Sequence, residues 1–163
     1  PQGPTHQLMR YSGNSGFSEG WGLYSERLAD EMGLYSSDLD RMGMLSEQAW
    51  RAARLVIDPG LHTKGWTREQ DIDYLASHTT AMPGEATSEI DRYIIWPGQA
   101  TSHILGMLEI PRLRTQAESA LGPRFDIKAF HDQVLGDGAV PLPLLQAKID
   151  GWIARERTQE PAP

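Results

Sequence analysis

No cysteine occurs among the 163 residues, which excludes disulfides, cysteine zinc sites, iron–sulfur clusters and thiol catalysis together. Basic residues are in the minority, 15 Lys and Arg against 22 Asp and Glu, for a formal net charge of −7. No basic run interrupts that balance, so neither nucleic acid nor an anionic membrane surface is expected as a partner. Long apolar runs are missing too: mean hydropathy is −0.46. Every apolar stretch is interrupted well short of the roughly 18 residues that span a bilayer, and no transmembrane segment is expected. There is no glycine-rich phosphate loop, no GxSxG elbow and no pair of histidines at helical spacing, so this chain holds no HExxH helix. Chemistry, if any, falls to His, Asp, Glu, Tyr, Ser and Lys.

What is there is helical periodicity cut by breakers. Gly 16 and Pro 11 together make about 17% of the chain, against a background of roughly 12%. Phe17, Trp21, Tyr24, Leu28, Met32 and Tyr35 form one stripe, with Ser18 as its cap and Gly33 near its end, which predicts a helix over 18–33. Leu39, Met42, Leu45, Ala49, Ala53 and Val56 predict a second over 38–57, stopped by Asp58-Pro59-Gly60. Thr67 and Gln70 form a capping box for 67–78, after a linker carrying His62 and Trp66. Ser88 can cap a segment that Pro97-Gly98 must kink or break; Pro111 opens 112–121, Asp126 caps 127–135, and 141–155 closes the fold. No stretch alternates with period two between hairpin turns, so the expected class is all-α, an irregular multi-helix domain. Its expected organisation is an extended segment over 1–16, a helical domain over 17–157 and a disordered tail over 158–163. There is no internal repeat and no low-complexity tract.

Several polar residues have unusual neighbours. Glu19 and Glu26 lie two helical turns apart on a flank beside Trp21 and Tyr24. Two such carboxylates can bind a cation, although from composition alone Glu19 favouring a helix N-terminus and Glu26 pairing with a basic neighbour is the simpler reading. Arg54 and Asp58, four apart, read as an ion pair. Arg92 and Tyr93 beside the Pro97-Gly98 break can present donors to an oxyanion or a carboxylate, or can be a solvated guanidinium and a core phenol. His62 sits in a Gly- and Trp-flanked loop, whereas His78, His103 and His131 read as surface or satisfied positions.

Four strings carry a resemblance: Gly16-Phe17-Ser18-Glu19-Gly20-Trp21-Gly22-Leu23-Tyr24-Ser25-Glu26, Arg54 through His62, Gly65-Trp66-Thr67-Arg68-Glu69-Gln70, and Arg92-Tyr93-Ile94-Ile95-Trp96-Pro97-Gly98-Gln99-Ala100. In this order they resemble the C-terminal part of the bacterial family called domain of unknown function 885, over about residues 11 to 153. The resemblance implies the C-terminal portion of a mostly helical, zincin-like metallopeptidase. It implies Glu19 as the third zinc ligand, two His ligands and a general-base Glu from an upstream HExxxGH-type helix, and Glu26 orienting a ligand. By the same analogy Tyr93 stabilises the tetrahedral intermediate, His62 is a supporting donor, and Arg92 and Gln99 hold substrate, a peptide or small amide. His6 has no acidic neighbour and no partner His, and does not replace the upstream motif.

A chain that begins Pro1-Gln2-Gly3-Pro4 reads as a fragment or processed product, expected to be inactive alone and to need the upstream part of the same protein. The family is bacterial and many members are exported, so a periplasmic location belongs to the same expectation. The alternative is a noncatalytic helical binding or scaffold module that lacks the zinc helix. A hydrolase of non-peptide amides or esters would share the site and differ in pocket shape.

Overall fold

The structure is a computed structural model that describes residues 13–158. Among these residues seven helices follow one another: α1 Ser15–Glu31, α2 Asp38–Thr63, α3 Arg68–His78, α4 Pro83–Ile95, α5 Ser102–Leu121, α6 Ile127–Leu135 and α7 Leu142–Thr158. Short 3₁₀ turns at Gln99–Thr101 and Gly122–Arg124 flank α5, and no strand occurs among the described residues. The all-α expectation holds. His6, the expected extended segment up to residue 12 and the expected tail from 159 lie outside the described residues; Ser15 and Gly16 are already helical, and Thr158 ends α7. No helix among the described residues is long and apolar enough to cross a membrane.

Two packing centres share the chain. In the first, Phe17 and Tyr24 of α1 meet Ile110, Leu113 and Ala117 of α5, Phe130 of α6, and Leu145, Ile149 and Trp152 of α7. In the second, Ala53 and Ile57 of α2, Leu75 of α3, and Ala86, Ile90 and Tyr93 of α4 close around Ala100. Helix α5 joins the two, packing along α1 while the 3₁₀ turn that precedes it packs on α2. Glycines set the α1–α5 approach. A Cβ on Gly20 would lie 2.3 Å from the Gly106 Cα, and one on Gly106 would lie 1.8 Å from the Gly16 carbonyl oxygen.

Four local expectations are corrected. The cap of α1 is Asn14, whose side chain accepts the Phe17 N–H at 2.9 Å, so the helix starts ahead of Ser18. Helix α2 does not stop at Asp58-Pro59-Gly60 but runs to Thr63, which places His62 on a helix rather than in a linker. An interior proline costs about 3 kcal/mol, yet this turn is held from outside. The Asp58 carboxylate accepts the Gly98 N–H at 2.9 Å, the Trp66 N–H donates to the Gly60 carbonyl at 3.0 Å, and the Trp66 ring packs where a Gly60 side chain would stand. Helix α4 starts at Pro83 instead of Ser88, because proline suits a first turn and Glu85 reaches back to the Met82 N–H at 3.0 Å. Helix α5 passes unbroken through Pro111: fully buried Ile110, Leu113 and Ala117 flank it, and their burial, about 1.5–3 kcal/mol for each large side chain, outweighs the lost hydrogen bond. At Pro97-Gly98 the expected break does occur, through a left-handed Gly98 with φ of 82°.

One buried acid has no partner. Asp71 is fully buried near the start of α3 and neither carboxylate oxygen is hydrogen-bonded. Burial lifts its pKa to about 6, against a lowering by the charge of His62. Because the folded value lies above the ordinary 3.8, the folded state binds this proton more tightly than the unfolded chain. The group's stabilising contribution is therefore complete below about pH 4 and lost as pH rises through 6. Urea midpoints measured from pH 4 to pH 8 should record a loss of about 1–3 kcal/mol in the parent, and Asp71→Asn should abolish that slope.

Candidate active site

The Gly20–Gly106 contact fixes what surrounds it. Glu19 precedes Gly20 on α1, and His103 lies one turn before Gly106 on α5, so the crossing that joins the backbones brings these two side chains together. Glu19 Oε2 and His103 Nε2 are 3.0 Å apart. A carboxylate accepts only, so Nε2 carries the proton and donates it. The two ends of the pair differ: the His103 side chain is 12% exposed and that of Glu19 42%. His103 Nδ1 is buried with no hydrogen-bond partner. Burial pushes the imidazole below its usual pKa; Glu19 pulls it up, and Arg54, Arg51 and Arg92 push it down.

Behind this pair lies a second cluster. The Tyr93 hydroxyl donates to Glu89 Oε2 at 2.6 Å and accepts from Arg54 Nε at 2.7 Å and Trp50 Nε1 at 3.4 Å. Arg54 Nη2 and Arg92 Nη2 each reach Glu89 Oε2 at 2.9 Å, and Arg92 Nη1 donates to Gln99 Oε1 at 2.8 Å. Burial opposes ionisation of Glu89, but hydrogen bonds from Arg92 and Tyr93 and the charges of Arg54 and Arg92 hold its pKa down at about 2. Burial, then the bond to Glu89, raises the Tyr93 phenol, which stays protonated. Both guanidinium groups lie over the Tyr93 ring, Arg92 at 4.8 Å and Arg54 at 5.5 Å. His62 Nε2 meets the Tyr93 backbone carbonyl at 3.1 Å rather than its hydroxyl. Arg54 and Glu89 also border an open groove of about 830 Å³ with Trp50, Met82 and Ser88.

The structure thus gathers Tyr93 and Arg92 on the half-buried Glu89 carboxylate, with Gln99 bonded to Arg92 and His62 to the Tyr93 backbone carbonyl, and sets Glu19 against α5. Glu26 stands further along α1, beside Arg51 and Glu47 of α2; burial raises its carboxyl, Arg51 lowers it, and it makes no hydrogen bond to Glu19 or His103. The expected Arg54–Asp58 ion pair is replaced by Arg54–Glu89, since Asp58 is turned onto the Gly98 amide. Sequence reasoning missed Glu89 and His103. The Glu89–Tyr93 and Glu89–Arg92 spacings are one helical turn and were open to inspection; the Arg54–Glu89 and Glu19–His103 pairings join separate helices and leave no local trace. His131 is satisfied by the Tyr24 hydroxyl at 2.8 Å, and His78 stacks on Tyr74 at 4.0 Å, in line with their expected ordinary roles. Among the described residues no group of three or more His, Cys, Asp and Glu could hold a metal by itself.

Residues 2–149 match the profile of a family described as bacterial protein of unknown function, DUF885. The chain is a DUF885 protein. A solved "putative lipoprotein" from Colwellia psychrerythraea shares 45% identity with this DUF885 chain at a TM-score of 0.87, covering 91% of the chain and 26% of that protein. A "putative lipoprotein of unknown function" from Shewanella oneidensis shares 29% identity at a TM-score of 0.75, with 83% of the chain and 25% of that protein covered. The DUF885 chain thus spans about a quarter of the length of these solved relatives. No curated protein matches it.

Proposed function

We propose that this chain forms one side of the active site of a bacterial zinc-dependent peptidase, to which it contributes the Glu19 carboxylate as a metal ligand. The observation that carries the reading is the Glu19–His103 contact, in which a half-exposed carboxylate on one helix is held by a largely buried imidazole on another. Catalytic zinc takes three protein ligands and keeps an open position, and a carboxylate from a separate helix completes a histidine pair. A glutamate with one oxygen committed to a neighbouring N–H and the other free suits that donor set. The two His ligands and the general-base Glu would come from a segment upstream of Glu19. Zinc in such a site supplies Lewis acidity and an activated water.

The remaining roles belong to this chain's own side chains. Arg92 and Gln99 would hold the peptide, and Tyr93 with His62 would supply donors on the carbonyl side. The Tyr93 proton is committed to Glu89, so its use on substrate requires exchanging that bond for one to the substrate oxygen. The name lipoprotein carried by the two solved relatives supports a location outside the cytoplasm.

The test is zinc content and peptide hydrolysis of the full-length protein after dialysis into metal-free buffer, beside Glu19→Ala. The expected outcome is about one zinc per chain and hydrolysis in the parent, with both lost in the variant. Equal zinc and equal activity in the two proteins would return Glu19 to the role of a helix carboxylate. A parent with neither zinc nor activity would favour the noncatalytic helical module, and one that cleaves only esters or non-peptide amides would keep the site and change the substrate.

A further inference from the structure

We propose that His103 is the positioning residue for Glu19, donating Nε2–H to Oε2 so that the other carboxylate oxygen is presented to a metal. The inference rests on the peptidase reading above and adds to it a residue that neither composition nor spacing marked. Three observations carry it. The contact is 3.0 Å with the donor assigned by chemistry, because the carboxylate has no proton to give. The pair is rigidly framed, since α1 and α5 touch backbone to backbone at Gly20 and Gly106, beside Glu19 and one turn from His103. And His103 keeps Nδ1 buried without a partner, a cost that a residue serving only to satisfy itself would not carry.

The asymmetry of exposure fits the same role. The imidazole is only 12% exposed and the carboxylate it holds is 42% exposed, so the donor is fixed while the acceptor faces outward. A hydrogen bond of this kind removes rotamer freedom from the glutamate before a metal arrives and aligns the lone pairs of the free oxygen. Surface ion pairs of similar length bring no such consequence for a ligand, because both partners remain mobile.

The experiment is a zinc competition titration of the full-length protein against a chromophoric chelator, with urea unfolding of the metal-free form as the folding control. His103→Ala should bind zinc about 10- to 100-fold more weakly, the range set by lost ligand-orienting partners. His103→Gln, whose amide N–H can stand where Nε2–H stands, should recover affinity to within about threefold. His103→Leu, which fills the space without a donor, should behave as His103→Ala and serves in its place if the alanine variant does not fold. A folded donor-less variant that binds zinc as tightly as the parent, while Glu19→Ala loses it, overturns the positioning role and leaves the peptidase reading standing. A His103→Gln variant as weak as His103→Ala overturns it as well, because the N–H donor is then not what matters. Retention of zinc by Glu19→Ala overturns the underlying reading itself.

Discussion

Gly106→Ala should destabilise the protein by about 3 kcal/mol or more, although alanine is the better helix former by nearly 1 kcal/mol. The new methyl would stand 1.8 Å from the Gly16 carbonyl oxygen and 2.7 Å from the Gly20 Cα. Both are backbone atoms, so no side-chain rotation relieves the clash and the helices must separate. Separation opens the layer where Phe17 and Tyr24 meet Ile110 and Leu113, and it pulls Glu19 away from His103. Domains of this size hold only about 5–15 kcal/mol in total, so the loss is a large share of stability. Gly22→Ala supplies the control, because nothing stands within 4 Å of a Cβ at Gly22, on the α1 helix that Gly106 meets. It should gain about 0.5–1 kcal/mol. Urea unfolding of both variants beside the parent checks the pair of signs, and a Gly106→Ala midpoint at or above the parent's would mean that α1 and α5 are not held by this contact.

The contrast between those two glycines shows what a sequence can and cannot display. Gly20, Gly22 and Gly106 are alike as letters, and only the crossing of α1 and α5 separates the indispensable from the replaceable. Where the determinants are local, the reading from sequence is close: Thr67 and Gln70 cap α3, Asp126 caps α6, and both elements fall where periodicity predicts them. Where a local penalty meets a distant gain, the reading fails. Pro59 and Pro111 look like terminators because the chain alone shows their cost, whereas Trp66 against Gly60, the Asp58–Gly98 bond and the buried face around Ile110 are supplied by other segments. The same division runs through the candidate site. Glu19, Tyr93, Arg92, Gln99 and His62 were singled out on the residues and the family resemblance. Glu89 and His103 became visible only when α2 met α4 and α1 met α5. A preference for i to i+4 partners led Arg54 to Asp58, when its partner lies on another helix, 35 positions away.

That misassigned arginine leads to the second large effect. Glu89→Ala should cost about 3 kcal/mol, because one carboxylate answers two guanidinium groups and a phenol. Its removal leaves Arg54, with a side chain 12% exposed, and the fully buried Tyr93 without their shared acceptor, and two positive charges face each other with nothing between them. Glu89→Gln should fall between parent and alanine variant, since the amide oxygen still accepts from one partner while the charge is gone. The acid limb of the stability profile gives an independent check. The folded pKa of Glu89, about 2, lies below the ordinary 4.5, so its contribution is present above pH 4.5 and lost as pH falls through 2. Over that window the parent should lose about 3 kcal/mol on this account, and Glu89→Gln should lack that part of the slope. Asp71 acts in the opposite sense on the alkaline side, through a pKa near 6. The two acids together set a stability maximum near about pH 4, where the Glu89 contribution is almost complete and that of Asp71 has only begun to be lost. Midpoints that rise steadily from pH 5 to pH 8, or an acid limb unchanged in Glu89→Gln, would show that these carboxylates do not govern the profile.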